Sequence, residues 1–417
     1  MTGKRLIALL GSVCLLLILA APPFMAACSP TPPASAQILK FGASLPMNIG
    51  FGMNTKRALD VIVEEFNKAG GLEVKGQKYN IELICYDDGY TADKARTNVE
   101  RLVNEDKVNF IVEMVGTPTI AVLPITEKAG VILAASVIQQ KDFSHCRYTL
   151  TADMPESYDA GVNAWLLEQY PDAKTLALIG IDDESGHVAV ARLNKTVPAL
   201  RPALTVVSVD YYARGTTDFT ALALKIASLN PDVLMDGNVQ GGSFLGLQLK
   251  ALHQAGYKGA FLVNSTLIPK EIIDACGDSK IVEGLYGIVP ADFNPNPNEL
   301  VKEFKEAYVK KYGVWDAISY TFTNQFYLLV NAIKKANSLE RDDVMKAVEK
   351  LKFETLMGEV IMVKRPDLGS DRYCAGVIPF DMGVMKNGQL VWKASISAKE
   401  TLPRLPKLFG YEGQWGW

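Results

Sequence analysis

The stretch KVNFIVEMVGTPTIAVLPITEKAGVILAAS, Lys107 to Ser136, decides the fold. Val108 to Met114 and Val131 to Ala135 are short apolar runs, the mark of parallel strands buried on both faces. Thr119 to Ala129 reads as the helix that joins them. The loop Val115-Gly116-Thr117-Pro118 falls at the carboxyl end of the first strand, where open α/β sheets bind ligands. Gly116 permits close backbone approach, Thr117 suits an N-cap and Pro118 suits the first helical position. A helix start of this kind offers free N–H groups and a partial positive charge to an anion.

The same alternation extends in both directions. Upstream, Ile38 to Leu45 reads as a strand and Pro46 to Gly52 as a loop. Thr55 to Ala69 follows as a helix with Ala58, Ile62, Phe66 and Ala69 on one face, stopped by Gly70-Gly71. Tyr79 to Tyr86 is a strand, Asp87-Asp88-Gly89 its turn, and Thr91 with Asp93 opens a helix to Asn104. This β-α-β-α-β-α-β order predicts a doubly wound parallel sheet. Downstream, Arg147 to Pro155 reads as a crossover strand, and a second α/β set begins. Its strands are Thr175 to Ile181, Thr205 to Tyr212, Val233 to Asp236 and Ala260 to Asn264. Its helices are Glu156 to Gln169, a segment from the loop Asp182 to Gly186 as far as Leu200, Phe219 to Leu229, and Ser243 to Ala255. Leu285 to Pro290 is a second crossover, and the helices Glu299 to Tyr312 and Ser319 to Ala336 return to the first domain. A helix over Asp342 to Leu351 and a hairpin over Val377 to Ser395, turning at Lys386-Asn387-Gly388, complete the reading.

A chain of 417 residues exceeds one ordinary core. With 48% hydrophobic and 21% charged residues it is normal globular material. The net charge of −3, without an Arg-rich run, argues against nucleic acid as a partner. Lys4 and Arg5 before the apolar run Leu6 to Ala21 form the n- and h-regions of an export signal. Met25-Ala26-Ala27-Cys28 resembles a bacterial lipobox, which makes Cys28 the expected lipidation site and residues 1–27 the signal peptide. Cleavage at Ala36-Gln37 is the alternative. Ser29 to Gln37 is a Pro/Ser/Ala tether. Cys85, Cys146, Cys276 and Cys374 remain in the body of the chain, and four cysteines allow three pairings.

Chemistry is sparse. His145, His187 and His253 are scattered, and the sequence has no HExxH, CxxC, GxSxG or Walker loop. Gly50-Phe51-Gly52 begins a dinucleotide-like pattern that Thr55 breaks. The pairs Asp87-Asp88 and Asp182-Asp183 read as caps and solvated charges. No metal, cofactor or enzymatic activity is expected.

Several segments together resemble the type I periplasmic solute-binding proteins of ABC transporters, in the leucine/isoleucine/valine-binding (branched-chain amino acid) family. They are Val61 to Gly71 (VIVEEFNKAGG), Ile81 to Asp88 (IELICYDD), Ala92 to Val108, Ala121 to Gly130 (AVLPITEKAG) and Phe304 to Gly313 (FKEAYVKKYG). The resemblance implies an α/β fold of two doubly wound parallel-sheet lobes joined by three hinge crossovers. The lobes would be 38–152 plus 290–357 and 153–289 plus 358–400, with a tether over 28–37 and a tail over 401–417. It implies capture of a small polar ligand, a branched-chain or related amino acid, in the interlobe cleft and delivery to the membrane subunits of an ABC permease. The protein would be an extracytoplasmic monomer anchored by lipid. A sensory ligand-binding protein is the rival role, disfavoured because no transmembrane or signalling segment follows the fold.

By position the resemblance implies a site of Phe51, Val115, Gly116, Thr117, Ala135, Ser136 and Ile138 from the first lobe. Ser185, Asn238, Gln240 and Asn264 come from the second. Asn264 stands where amino-acid binders place the acid that pairs the ligand ammonium. An unpaired ammonium in a closed cleft would be costly. Either Glu113 or Asp236 substitutes, or the ligand is a small organic or aromatic acid or an amide.

Overall fold

The computed structural model describes residues 36–136, 143, 145–239, 241–316, 320, 322–365 and 373–409, with residues 373 and 374 described in backbone only. The N-terminal segment with Cys28, and the site positions Ile138 and Gln240, lie outside the described residues.

The first sheet contains β1 (Gln37–Leu45), β2 (Leu72–Val74), β3 (Gln77–Asp87), β4 (Phe110–Met114), β5 (Ile132–Ala134) and β6 (Thr149–Leu150). Their order is β2-β3-β1-β4-β5-β6, parallel throughout except where β2 turns back on β3. The short hairpin strand β2 escapes a reading by apolar runs, because it holds three residues between turns. Helices α1 (Gly50–Lys68), α2 (Ala92–Asn104) and α3 (Pro118–Ala129) supply the crossovers. Helix α1 starts five residues before the expected Thr55, so Gly50-Phe51-Gly52 is its first turn and not a loop.

The second sheet has β7 (Thr175–Ile181), β8 (Thr205–Tyr212), β9 (Val233–Asp236) and β10 (Ala260–Val263) in the parallel order β10-β9-β7-β8. It is wound by α5 (Glu184–Leu200), α6 (Thr220–Leu229), α7 (Gly242–Gln254) and α8 (Pro269–Cys276), the last not anticipated. The segment expected as one helix over Glu156 to Gln169 is a π-helical turn, Tyr158–Asn163, followed by α4 (Ala164–Glu168). Within that turn the buried Asp159 carboxylate accepts a hydrogen bond from Asn163 and pairs with Arg192 of α5.

After β11 (Tyr286–Ile288) the chain returns to the first sheet with α9 (Glu299–Tyr312) and α10 (Asn324–Ala336), while α11 (Arg341–Ala347) packs on α10. Phe326 of α10 meets Phe41 of β1 and Phe66 of α1, and Phe41 meets Phe110 of β4. Phe41, Phe110 and Phe326 are fully buried and centre the first core. The hairpin β12 (Lys352–Thr355) and β13 (Gly358–Lys364) extends antiparallel to β14 (Tyr373–Val377). The last hairpin, β15 (Phe380–Lys386) and β16 (Gln389–Ile396), adds to β11. Its loop is Asn387-Gly388, both at positive φ (50° and 74°), the twist-matched two-residue turn that the Asn-Gly pair predicts. Helices α12 (Ala398–Thr401) and α13 (Leu405–Phe409) end the described chain.

Candidate functional site

In each parallel sheet the strand order reverses at one strand. In the first it is β1, flanked by β3 and β4; in the second it is β7, flanked by β8 and β9. Crevices open at such switch points, outside the carboxyl ends of the strands. The loops after β1, β3 and β4 and those after β7, β8 and β9 therefore border these crevices.

After β3, Asp88 is fully buried and organises the turn. Ser44 Oγ donates to its Oδ2 at 3.0 Å, and the Tyr90 N–H donates to its Oδ1 at 2.8 Å. Burial pushes this carboxyl up, against those two bonds. Asp88 is thus a buried turn-former and not the solvated charge expected. It fixes Tyr90 at φ 63°. The Tyr90 ring meets Phe51 edge-on, with centroids 6.3 Å apart, and Phe51 meets Phe322 at 5.7 Å. Phe51, Tyr90 and Phe322 make an aromatic wall beside the first crevice.

After β4, Val115 bridges to Ser136, and Gly116 holds φ 71°. A Cβ on Gly116 would stand 2.2 Å from Tyr90 Oη. Gly116→Ala is therefore expected to cost about 1–2 kcal/mol for the left-handed backbone alone, with a clash added. A chemical denaturation midpoint unchanged from the wild type would contradict this.

Most of the N–H groups expected to be free at this helix start are engaged. Gly116 N–H donates to Ser136 O at 2.9 Å, Thr119 N–H to Gly116 O, and Ile120 N–H to Thr117 O, while the Tyr90 hydroxyl crowds the loop at Gly116. Pro118 has no N–H. Thr117 is itself helical in backbone, makes no capping bond with its side chain and is exposed, so the loop presents its hydroxyl.

Behind the loop lies a buried polar cluster. Ser136 Oγ donates to Asp153 Oδ2 at 2.6 Å and faces Glu113 Oε2 at 3.4 Å. Gln325 Nε2 donates to both Ser136 Oγ (3.0 Å) and Asp153 Oδ2 (2.9 Å), and Asn324 Nδ2 donates to Asp153 Oδ1 at 2.8 Å. Ser136 and Ala135 are buried, and the Ser136 hydroxyl serves this cluster. Burial, then the charge of Asp153, holds Glu113 well above the usual carboxylate range.

On the second sheet, Asp183 caps α5 by accepting from Gly186 N–H at 2.9 Å, so Ser185 and Gly186 stand in the first helical turn and not in a loop. Ser185 Oγ donates to Asp183 Oδ1 at 2.8 Å, and Asn238 Nδ2 donates to Ser185 Oγ at 2.9 Å. Arg214, two residues past β8, pairs with Asp183 Oδ2 through Nε (2.9 Å) and Nη2. Burial opposes ionisation of Asp183, yet the bonds from Gly186, Ser185 and Arg214 hold its pKa below the ordinary value. The Arg214 guanidinium carbon lies 5.9 Å from the centroid of the Tyr90 ring, across from the first sheet.

The two acids left as ammonium partners are both withdrawn. Glu113 is fully buried within the cluster above. Asp236 is fully buried too, and accepts from Tyr212 Oη and Gln248 Nε2, both at 2.7 Å, and from Asn238 N–H at 2.9 Å. Burial pushes its carboxyl up to about 6. Asn264 is half-buried directly after β10. A separate small cavity near the crossovers is lined by residues that include Tyr158, Thr266, Tyr320 and Met357.

The structure thus brings Phe51, Gly116 and Thr117 together around Tyr90, and joins Ser185 to Asn238. Sequence reasoning missed Tyr90, Phe322 and Arg214. Tyr90 and Arg214 each lie two or three residues past a strand next to a switch strand, and that position was the available signal. Cys85 and Cys276 are free thiols, and Cys276 Sγ contacts Ile273 O and Asp278 O. Among the described residues no group of three or more His, Cys, Asp and Glu is placed to hold a metal ion, and no helix is long and apolar enough to cross a membrane.

Comparison with known proteins agrees with this architecture. The sequence profile of the periplasmic binding protein family matches residues 46–369. A Leu/Ile/Val-binding protein homolog 7 of Brucella abortus (strain 2308) is 26% identical over 365 residues, covering 78% of this chain and 85% of that protein. A solute-binding protein of an ABC transporter from Rhodopseudomonas palustris HaA2, solved with p-hydroxybenzoic acid, superposes with a TM-score of 0.70 at 18% identity, covering 87% of this chain and 98% of the other. The branched-chain amino acid transporter substrate-binding protein LivJ from Streptococcus pneumoniae, solved with isoleucine, superposes with a TM-score of 0.67 at 18% identity over 86% and 99% of the two chains. Switch-point crevices, two parallel sheets and a profile match over most of the chain place this protein in the periplasmic binding protein family, a family of extracytoplasmic solute-binding proteins and not of enzymes.

Proposed function

We propose that the protein captures a small solute in the crevice between the two sheets and delivers it to an ABC permease. The observation that carries this reading is the meeting of the two switch points at Tyr90 and Arg214, 5.9 Å apart. A ligand bound beside this contact touches both lobes, so its binding biases an open–closed equilibrium toward the closed form. A sequence-similar relative named for leucine, isoleucine and valine, and a structural neighbour holding isoleucine, support a branched-chain or related amino acid as the solute.

A second solute class has a specific observation in its favour. Asp236 and Glu113, the acids that would take the place left by Asn264, are fully buried with internal partners. A crevice of this kind suits an acid without an ammonium group, and the wall of Phe51, Tyr90 and Phe322 suits an aromatic one. A neighbouring structure holds p-hydroxybenzoic acid. The lobe boundaries at 152/153, 289/290 and 357/358, the monomeric state and the lipid anchor at Cys28 with its tether belong to the same proposal.

A thermal-shift screen of branched-chain amino acids, hydroxybenzoates and the matching amides tests it. A ligand that binds the native state raises the melting temperature, by about 2.7 kcal/mol of stabilisation at a hundred times its Kd. The class that does so names the solute. Turnover of the bound compound would replace the transport reading with an enzymatic one. Within the site, Thr117→Val keeps the shape and removes the exposed hydroxyl. It is expected to weaken the ligand about 5- to 10-fold, a neutral hydrogen bond's worth. Unchanged affinity by calorimetry takes Thr117 out of the site.

A further inference from the structure

We propose that Arg214 is the residue that recognises the solute's carboxylate, reading it from the second lobe and not from the loop after β4. This deepens the proposed solute-binding role and rests on it. The loop after β4 is the natural anion site of the first lobe, but most of its donors are occupied. Gly116 N–H is bonded to Ser136 O, Pro118 has none, and the Tyr90 hydroxyl crowds the loop at Gly116. The next two N–H groups bond back to Gly116 and Thr117 within the same turn. A carboxylate arriving there finds the exposed Thr117 with its N–H and hydroxyl, and no cation on the loop itself.

Across the crevice the situation is reversed. Arg214 stands at the carboxyl end of β8, beside the switch strand, with its side chain 48% exposed. Guanidinium carries five N–H groups in a planar fork suited to carboxylates. The pair with Asp183 uses Nε and Nη2 on one oxygen, Oδ2, and leaves the Nη1 end of the fork outside that pair. Asp183 is in turn fixed to Ser185 Oγ and Gly186 N–H, and Ser185 is fixed to Asn238. Ser185 and Asn238 therefore act as positioning residues, holding Asp183 and through it the fork. Tyr90, 5.9 Å away, supplies the aromatic face on the other side. Lys94 of α2 is the rival cation, its Nζ 3.2 Å from where a Cβ on Gly89 would stand.

The test compares Arg214→Met, Arg214→Lys and Lys94→Met with the wild type by calorimetric titration of the purified protein. The probes are leucine and isoleucine, p-hydroxybenzoate and 3,4-dihydroxybenzoate, each beside its amide. The wild type is expected to bind one acid at least 10-fold more tightly than its amide. Arg214→Met is expected to lose about 10- to 100-fold for that acid, the range of a charged hydrogen bond, and little for the amide, so that the discrimination collapses toward one. Arg214→Lys recovers part of it, and Lys94→Met leaves it intact. Far-UV circular dichroism of Arg214→Met checks the fold. An Arg214→Met protein that keeps the acid-to-amide ratio overturns the assignment while the solute-binding role stands. Loss of the ratio in Lys94→Met instead moves it to Lys94 and overturns it equally. A wild type that binds none of the probes overturns the solute reading, and this assignment with it.

Discussion

Asp153→Ala is expected to destabilise the protein by about 3–5 kcal/mol, because it leaves several buried donors without an acceptor. Ser136 Oγ, Gln325 Nε2 and Asn324 Nδ2 all donate to this carboxylate, between 2.6 and 2.9 Å. Its position magnifies the effect. Asp153 follows β6, where the chain leaves the first sheet; Asn324 and Gln325 open α10, after the chain has returned; and Asn324 Nδ2 also lies 3.3 Å from Met357 Sδ, in the turn between β12 and β13. One carboxylate thus ties together three passages of the chain between the sheets. Asp153→Asn keeps an acceptor and should cost less than half as much. Urea denaturation of the two variants measures both. A loss below about 1 kcal/mol for the alanine variant would show that the cluster relaxes or admits water, and would remove its structural role.

Glu113→Gln is expected to abolish a pH dependence and not to add one. A hydroxyl has one proton to donate. The Ser136 proton goes to Asp153 at 2.6 Å, so an approach of Glu113 Oε2 to the same oxygen, at 3.4 Å, is favourable when Glu113 itself carries a proton. Burial, and next the nearby Asp153 charge, raise Glu113 well above the ordinary value, against bonds from Ser136 and the Met114 N–H. The folded state therefore binds a proton that the unfolded chain has released. The resulting stability is complete below the ordinary carboxylate pKa of 4.5 and is lost as pH rises toward the raised value. The slope is about −1.4 kcal/mol per pH unit within that window. Glutamine imitates the protonated acid, so the variant should lack this slope and gain on the wild type at each higher pH. Comparing the two proteins pH by pH cancels Asp236, whose own pKa of about 6 adds a similar slope in both. Parallel stability curves would mean that Glu113 ionises in place, with its charge met by the cluster.

Much of the fold was legible because parallel strands announce themselves. The runs at Val108 to Met114 and Thr175 to Ile181 are mostly apolar, as burial on both faces requires, with Asn109 and Glu113 the polar exceptions in the first, and the second matches β7 residue for residue. The Asn387-Gly388 turn was legible for another local reason, since both residues must hold positive φ. Phe51 stands in the first turn of α1 but was assigned to a loop, because Gly50 and Gly52 look like helix breakers. The Gly52 position in fact packs against the Pro46 carbonyl, where a Cβ would come within 2.2 Å, and helix α1 tolerates glycine there for that contact.

The site was legible in outline only. Gly116, Thr117, Ser185 and Asn238 sit at strand ends, and strand ends can be read from periodicity. Tyr90 and Arg214 acquire their meaning from a contact between two sheets, joining positions 124 residues apart in the chain. No local pattern records such a contact. The expectation of open N–H groups after β4 failed in part for a related reason. The group that occupies the Gly116 N–H is the Ser136 carbonyl, which arrives from the end of β5. Likewise Glu113 and Asp236, read as spare acids, are consumed by Ser136, Tyr212 and Gln248 from neighbouring elements.

The most direct measurement is a crystal structure of the protein with the solute that raises its melting temperature most. Electron density for that solute is expected beside the aromatic wall of Tyr90 and Phe51, with a carboxylate within 3.2 Å of the Arg214 guanidinium, ordinary hydrogen-bond reach. Density at the crossover cavity beside Tyr158 and Tyr320, or a carboxylate seated on the Gly116 and Thr117 amides after Tyr90 has moved away, would contradict it.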